Sequence, residues 1–132
     1  VDNTKVSTSN ETLTCSTSEY QETYSANCTT EVVMTFKNKE LYNYSSKIVY
    51  QYTDAASYQK LWGSLAEKSG SSDADGLKAS WSLDDSNLRY TIIMNANIDD
   101  LKNGGWKEDN QIEDYSYESM RQYFTDQGIE CK

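Results

Sequence analysis

Five segments of the chain alternate apolar and polar residues with the period of two that is typical of β-strands. They cover residues 11–20, 30–37, 40–52, 77–84 and 88–97. The last two segments, joined by the turn Asp84-Asp85-Ser86-Asn87, form the clearest predicted hairpin. Asn38-Lys39 predicts a tight turn between two of the others. Because each segment is apolar on one side only, the pattern predicts an antiparallel sheet with one covered face.

Two segments follow the helical period instead. The first predicted helix begins at Thr53 or Asp54 as N-cap and ends at 68–70. The second runs from about Tyr117 to Gln127. Each has an apolar stripe with polar residues around it, so each predicts a helix packed against the sheet.

The element order is therefore β-β-β-α-β-β-α, with room for a short terminal strand. This order predicts an α+β fold: a four- to five-stranded antiparallel sheet with two helices packed on one face, the face that bears Trp81 and Ile92. Residues 1–10 predict a flexible leader, and residues 11–132 predict a single domain. Residues 98–114 are polar, contain two adjacent glycines and predict a loop with at most a short helical turn.

Composition excludes several classes of function. The net charge of -9 disfavours nucleic acid and docking on anionic lipid, since both need a basic surface. No run of apolar residues predicts a membrane span. The chain has no histidine, which removes Ser-His-Asp and Cys-His catalysis and the commonest zinc ligand.

The remaining candidates for metal or acid–base chemistry are incomplete. The segment 73–76 imitates part of a calcium loop, but Ser71 and Ser82 stand where acidic ligands belong. No CxxC pair offers a zinc site. The acidic pairs of residues 98–114 lie in a predicted solvated loop, where no carboxyl is held with a raised pKa. The sequence thus predicts no catalytic centre, no cofactor and no metal.

Three cysteines, Cys15, Cys28 and Cys131, allow three different single disulfides. The bonds are Cys15–Cys28, Cys15–Cys131 and Cys28–Cys131. Spacing alone leaves the choice open, although the terminal position of Cys131 favours its use as a staple. A disulfide indicates an oxidising compartment, whereas three reduced thiols would indicate the cytosol.

Leu13-Thr14-Cys15 near the start and Ser116-Tyr117 with Gly128-Ile129-Glu130-Cys131-Lys132 at the end resemble the YehR-like bacterial lipoproteins. The resemblance covers about residues 11–132 and implies an α+β domain of unassigned function at the cell surface. It also implies that Cys15 pairs with Cys131. Cys28 has no counterpart in the family pattern, and we predict that it is not disulfide-bonded. Members of that family hang from a membrane by a lipidated cysteine, which here would lie before Val1. The resemblance therefore implies a membrane-anchored lipoprotein that faces the outside or the periplasm.

Aromatic residues supply the candidate binding surface. Trp106 lies in the predicted loop, outside any apolar stripe, so we predict that a binding surface includes Trp106 and residues 98–114. The alternative is that Trp106 folds back and plugs one end of the core. Trp62 and Trp81 lie on apolar faces and predict core packing. The tyrosines of the segment 40–52 predict core as well, except where they lie beyond the reach of a helix and form an exposed patch.

The sequence thus predicts a monomeric, non-enzymatic, extracytoplasmic binding or interaction domain for an unknown protein or small ligand. It would meet a membrane only through an N-terminal lipid anchor that is absent from this chain. The alternative is a structural or assembly component of the cell envelope with no small ligand. A concave apolar pocket would favour a ligand, and a flat patch would favour a protein partner.

Overall fold

The computed structural model describes residues 10–74 and 76–132, so nearly all of the predicted leader lies outside the described residues. Within them the chain forms seven strands and four helices. The strands are β1 (Asn10–Gln21), β2 (Ala26–Lys37), β3 (Glu40–Tyr52), β4 (Ser69–Ala74), β5 (Leu77–Asp84), β6 (Arg89–Asn97) and β7 (Glu130–Cys131). The helices are α1 (Ala55–Trp62), α2 (Ile98–Gly104), α3 (Trp106–Asp109) and α4 (Tyr117–Asp126).

All seven strands belong to one antiparallel sheet with the order β4-β5-β6-β3-β2-β1-β7. The pairing of β3 with β6 joins two hairpin-connected groups of strands at the centre of the sheet. Asn38 and Lys39 both have positive φ, 53° and 67°, which matches the twist of a tight hairpin between β2 and β3. The predicted turn at these two residues is confirmed.

The predicted four- to five-stranded sheet with two helices is wrong, because the described residues form seven strands and four mostly short helices. β4 lies where the sequence predicted a helix end and a loop. Its residues, Ser-Gly-Ser-Ser-Asp-Ala, have little intrinsic strand preference. The strand forms because its backbone pairs with β5 from Ser69↔Ser82 to Ala74↔Leu77. α1 is correspondingly shorter than predicted and ends at Trp62.

Residues 98–109 form two helices instead of the predicted loop. Asn97 caps α2, since its side-chain oxygen accepts a hydrogen bond from the Asp100 backbone nitrogen at 2.8 Å. Asp99 and Asp100 lie in the first turn, where negative charge is favourable. Gly105 ends the helix in the left-handed conformation, with φ 73°. The glycine pair that suggested a loop is therefore a helix stop.

The helices cover the face of the sheet that bears Trp81 and Ile92, as predicted, but they form two separate groups. α2, α3 and α4 pack over one end of the face, where Met34, Tyr44 and Ala96 join the larger core cluster. α1 packs over the other end, where Tyr58 meets Tyr52 and Leu83. Between the two groups the covered face is only half-buried, as the row Thr30, Ile48, Ile92 and Trp81 shows.

The opposite face of the sheet has no helix over it within the described part of the chain. The residues predicted to be wet there are exposed or, for Thr91, half-buried: Lys78, Ser80, Ser82, Arg89, Thr91 and Asn95. A bulge in β3 adds Tyr42, which the sequence had placed with the core tyrosines. Tyr42 is 46% exposed, and the Lys37 ammonium lies 3.8 Å from its ring centre.

A disulfide joins Cys15 of β1 to Cys131 of β7, which are paired residues of the sheet. The Lys132 nitrogen donates to the Thr14 oxygen at 2.8 Å beside it. Cys28 is a buried free thiol. The pairing that the resemblance implied is thus formed, and an intramolecular disulfide is compatible with an extracytoplasmic domain. Among the described residues, no helix has the length and apolar character that a membrane span needs.

Candidate functional site

Trp106, the predicted surface residue, is only 6% exposed. Its ring lies 5.5 Å from that of Tyr44, 6.1 Å from that of Tyr123 and 6.4 Å from that of Tyr115. The premise of an exposed tryptophan is therefore wrong, and the alternative of a core plug describes its position. The cause is local: the left-handed turn at Gly105 separates α2 from α3 and directs the chain back over the sheet.

A pocket opens at the other end of the covered face, under α1. Its volume is about 240 Å³. Five aromatic and two aliphatic side chains line it, and among these seven none is charged: Tyr24, Tyr50, Tyr52, Leu61, Trp62, Tyr90 and Ile92. The pocket exists because α1 covers one end of the sheet but does not reach the half-buried row beside it.

The floor of the pocket is set by the register of the two central strands. Tyr50 of β3 and Tyr90 of β6 are directly paired residues. Their rings stack with centres 5.9 Å apart and planes inclined by 25°. Such cross-strand aromatic pairs stabilise a sheet. Tyr24, from the turn between β1 and β2, stands almost perpendicular to Tyr50 at 6.4 Å and forms a side wall.

Trp62, the last residue of α1, forms a second wall of the pocket. Its ring lies 4.6 Å from that of Tyr90, and its Nε1 donates a hydrogen bond to the Tyr52 hydroxyl at 2.9 Å. Its backbone oxygen accepts a hydrogen bond from the Lys68 ammonium at 3.2 Å. These contacts hold the indole in place, so the wall is formed before any ligand arrives.

Two contacts fix α1, one at its N-cap and one in the middle of the helix. The Asp54 carboxylate caps it by accepting from the Ser57 nitrogen at 2.7 Å. The fully buried Tyr58 donates its hydroxyl to Asp85, and Lys68 pairs with the same carboxylate at 3.7 Å. The wall that α1 provides is thus tied to the turn between β5 and β6.

The lining tyrosines of β3 and β6 are neutral at physiological pH. Burial raises the pKa of Tyr50, Tyr52 and Tyr90 above the ordinary value for a phenol. For Tyr50 the neighbouring Cys28 thiol raises the pKa further. Cys28 lies beside Tyr50 because the two residues are paired across β2 and β3. These three side chains therefore present neutral rings and phenol hydroxyls.

Such a lining can bind by contact with ring faces, and its seven side chains contain no carboxylate, amine or thiol for acid–base or nucleophilic chemistry. Sequence reasoning placed Trp62 in the core and allowed for exposed tyrosines beyond a helix. It did not place Tyr24 and Tyr90 in one site with Trp62 and those tyrosines. The available signal was that Tyr50 and Tyr90 both lie on apolar strand faces, but nothing in the sequence showed that β3 pairs with β6.

No protein-family model, curated protein or solved structure matches this chain. The resemblance to YehR-like lipoproteins thus stays a prediction, and the pocket is interpreted from its own geometry.

Proposed function

We propose that this chain is a non-enzymatic binding domain that holds a small ligand, or one moiety of a larger one, in the pocket between α1 and the centre of the sheet. The observation that carries the proposal is a preformed concave pocket with five aromatic side chains in its lining. Pockets of this kind, apolar and largely formed in advance, are the usual sites for small ligands.

The size of the pocket supports a small occupant. At about 240 Å³ it lies below the roughly 300–1,000 Å³ that is typical of drug-sized ligands. A moiety that buries about 150 Å² of apolar surface would gain about 4 kcal/mol from burial. Association costs several kcal/mol of translational and rotational freedom, so burial of such a moiety in the pocket alone gives only weak binding. Contacts outside the pocket would tighten the binding of a larger ligand.

The face of the sheet opposite the helices, here called the open face, favours a ligand-binding domain over a structural component with no ligand. An interface with a structural partner would call for a flat apolar patch. The open face is instead mostly polar, and its exposed large side chains, Tyr20, Tyr42 and Ile93, lie singly on different strands.

The disulfide and the family resemblance together support a place outside the cytoplasm. We include in the proposal a lipid anchor on a cysteine before Val1. Metabolic labelling of the full-length protein with an alkyne fatty acid tests this part. Incorporation at an upstream cysteine would support the anchor, and an unlabelled mature protein would contradict it.

Two matched leucines test the pocket. Leu61 and Leu65 are both 40% exposed, but only Leu61 belongs to the lining. We expect phenol and indole, added at millimolar concentration, to shift the indole N–H resonance of Trp62 in ¹H–¹⁵N spectra. Leu61→Ala should weaken these shifts several-fold, and Leu65→Ala should leave them unchanged. Shifts that map elsewhere, or that respond equally to both variants, would overturn the proposal.

A further inference from the structure

We propose that the group held in this pocket is a cation, specifically a methylated ammonium group, so that the ligand is a small quaternary or methylated amine. This inference rests on the proposed binding function and narrows it to one class of ligand. It is carried by the arrangement of the rings and by the distribution of charge around them.

The rings approach the pocket from different directions. Trp62 and Tyr90 lie 4.6 Å apart with planes inclined by 39°. Tyr24 stands at 88° to Tyr50, while Tyr50 and Tyr90 form the floor. A cation is attracted by a ring face when it lies within about 6 Å of the centroid. Five aromatic side chains line a pocket of about 240 Å³, so a cation inside it lies close to more than one ring.

The charges near the pocket favour a positive occupant. Glu19 belongs to the same cross-strand row as Cys28, Tyr50 and Tyr90, and it is exposed. Adjacent strands are about 4.8 Å apart, so Glu19 lies roughly 10 Å from Tyr50 on the pocket side of the sheet. The net charge of -9 adds a field that attracts cations.

Two lysines near the pocket weaken its attraction for a cation only in part. Lys68 is paired with Asp85 and donates to the Trp62 oxygen, so its charge is compensated. Lys60 lies in a neighbouring depression with Tyr24 and Leu61, outside the ring-lined pocket. A cation in the pocket therefore meets ring faces rather than an ammonium group.

Methylation of the amine follows from the scarcity of hydrogen-bond acceptors. A primary ammonium has three N–H groups that must be satisfied when water is removed. The pocket offers phenol oxygens, of which that of Tyr52 already accepts from Trp62. A methylated ammonium has few or no N–H groups, and its methyl groups pack against the rings.

The experiment compares two probes of the same shape, choline and its neutral carbon analogue 3,3-dimethylbutan-1-ol. Titration followed by the Trp62 indole N–H resonance gives a Kd for each. We expect choline to bind at least about tenfold more tightly, because the two differ in the cation–π attraction. Equal affinity, or binding of phenol and indole without choline, would overturn the inference and leave the proposed function standing. If none of the four probes reached the pocket, both would fall.

Two tyrosines of one hairpin give a matched pair of variants. Tyr24 is 43% exposed and lines the pocket, while Tyr20 is 52% exposed and points to the open face. Tyr24→Leu keeps an apolar side chain but removes a ring face. We expect it to lower the preference for choline over its neutral analogue several-fold, and Tyr20→Leu to leave the preference unchanged. If the ratio of the two Kd values, for choline and for its neutral analogue, were the same in both variants, the proposed binding of a cation by the pocket rings would be contradicted.

Two glutamates test the charge. Glu19→Gln and Glu31→Gln change the net charge equally, but Glu31 lies on the open face. We expect Glu19→Gln alone to weaken choline about twofold at low salt, with no effect on the neutral analogue. The difference should shrink above about 0.1 M salt, where the screening length is about 10 Å. Equal effects of the two variants would show that the local charge does not act on the pocket.

Discussion

Reduction of the Cys15–Cys131 disulfide is expected to remove a large part of the stability of this domain. The two cysteines are 116 positions apart in the chain. In the chain-entropy account, a cross-link that closes a loop of this length lowers the entropy of the unfolded chain. This raises the free energy of the unfolded state by about 5 kcal/mol at 25 °C. Domains of this size have a free energy of unfolding of about 5–15 kcal/mol. The reduced protein should therefore be only marginally stable.

Few contacts other than the disulfide hold the C-terminal end of the chain on β1. β7 is two residues long and pairs with Cys15 and Ser16, and Lys132 adds backbone hydrogen bonds to Thr14. Cys15 itself is fully buried, so reduction has to be carried out in denaturant before refolding. Urea unfolding followed by circular dichroism then compares the oxidised and reduced forms. With a slope of about 2 kcal/mol per molar, the midpoint should fall by about 2.5 M.

Cys28 provides the control. Cys28→Ala should lose some packing but keep the full drop on reduction, because this thiol is free. Cys15→Ala/Cys131→Ala should start near the stability of the reduced protein and show no response to reductant. The reasoning would be refuted by a drop of less than about 1 kcal/mol in the unmodified protein, or by a drop that disappears in Cys28→Ala.

Three further predictions follow from the packing around the sheet. Trp106→Ala should lower the free energy of unfolding by about 3–5 kcal/mol, because the indole is 6% exposed; a loss below about 1 kcal/mol in urea unfolding would show that it is not core. Burial raises the pKa of Tyr44 from 10.0 to about 12, so the stability contributed by its neutral phenol is fully present below pH 10 and is lost as the pH rises towards 12. The phenolate absorbance that Tyr44→Phe removes should accordingly appear well above pH 10, and its appearance at pH 10 would contradict this. Asn97→Ala should cost about 1 kcal/mol through loss of the α2 cap, and Asn97→Asp should cost far less; equal costs in thermal unfolding would argue against the cap.

The candidate site shows where prediction from the sequence stopped. Tyr50 and Tyr90 were each placed on the apolar side of a strand, and this is where they lie. Their stacking depends on the pairing of β3 with β6, and the two tyrosines are 40 positions apart in the chain. The period of two says which way a side chain points, but it does not say which strand is the neighbour. Tyr24 had no pattern at all, because it lies in a turn.

Trp106 shows the opposite failure. Its polar neighbours suggested solvent, yet the side chain is buried. Asn97 and Gly105 are residue types that favour a helix N-cap and a left-handed helix end. The loop prediction rested instead on the polar composition and the glycine pair, although a short helix that covers one end of a core needs only a few apolar residues. Burial here depends on what packs over the segment, and composition does not report it.

By itself the sequence determined the long strands, the turn at Asn38-Lys39, the side of the sheet that would be covered and the absence of histidine chemistry. These features follow from local periodicity, local backbone sterics and composition, which need no knowledge of distant residues. Only the tertiary structure decided that β4 exists, that the helices divide into two groups, and that five aromatic side chains line one pocket between α1 and the sheet. The physical reason is that backbone pairing and packing join residues far apart in the chain, and their side chains carry no local record of the partner.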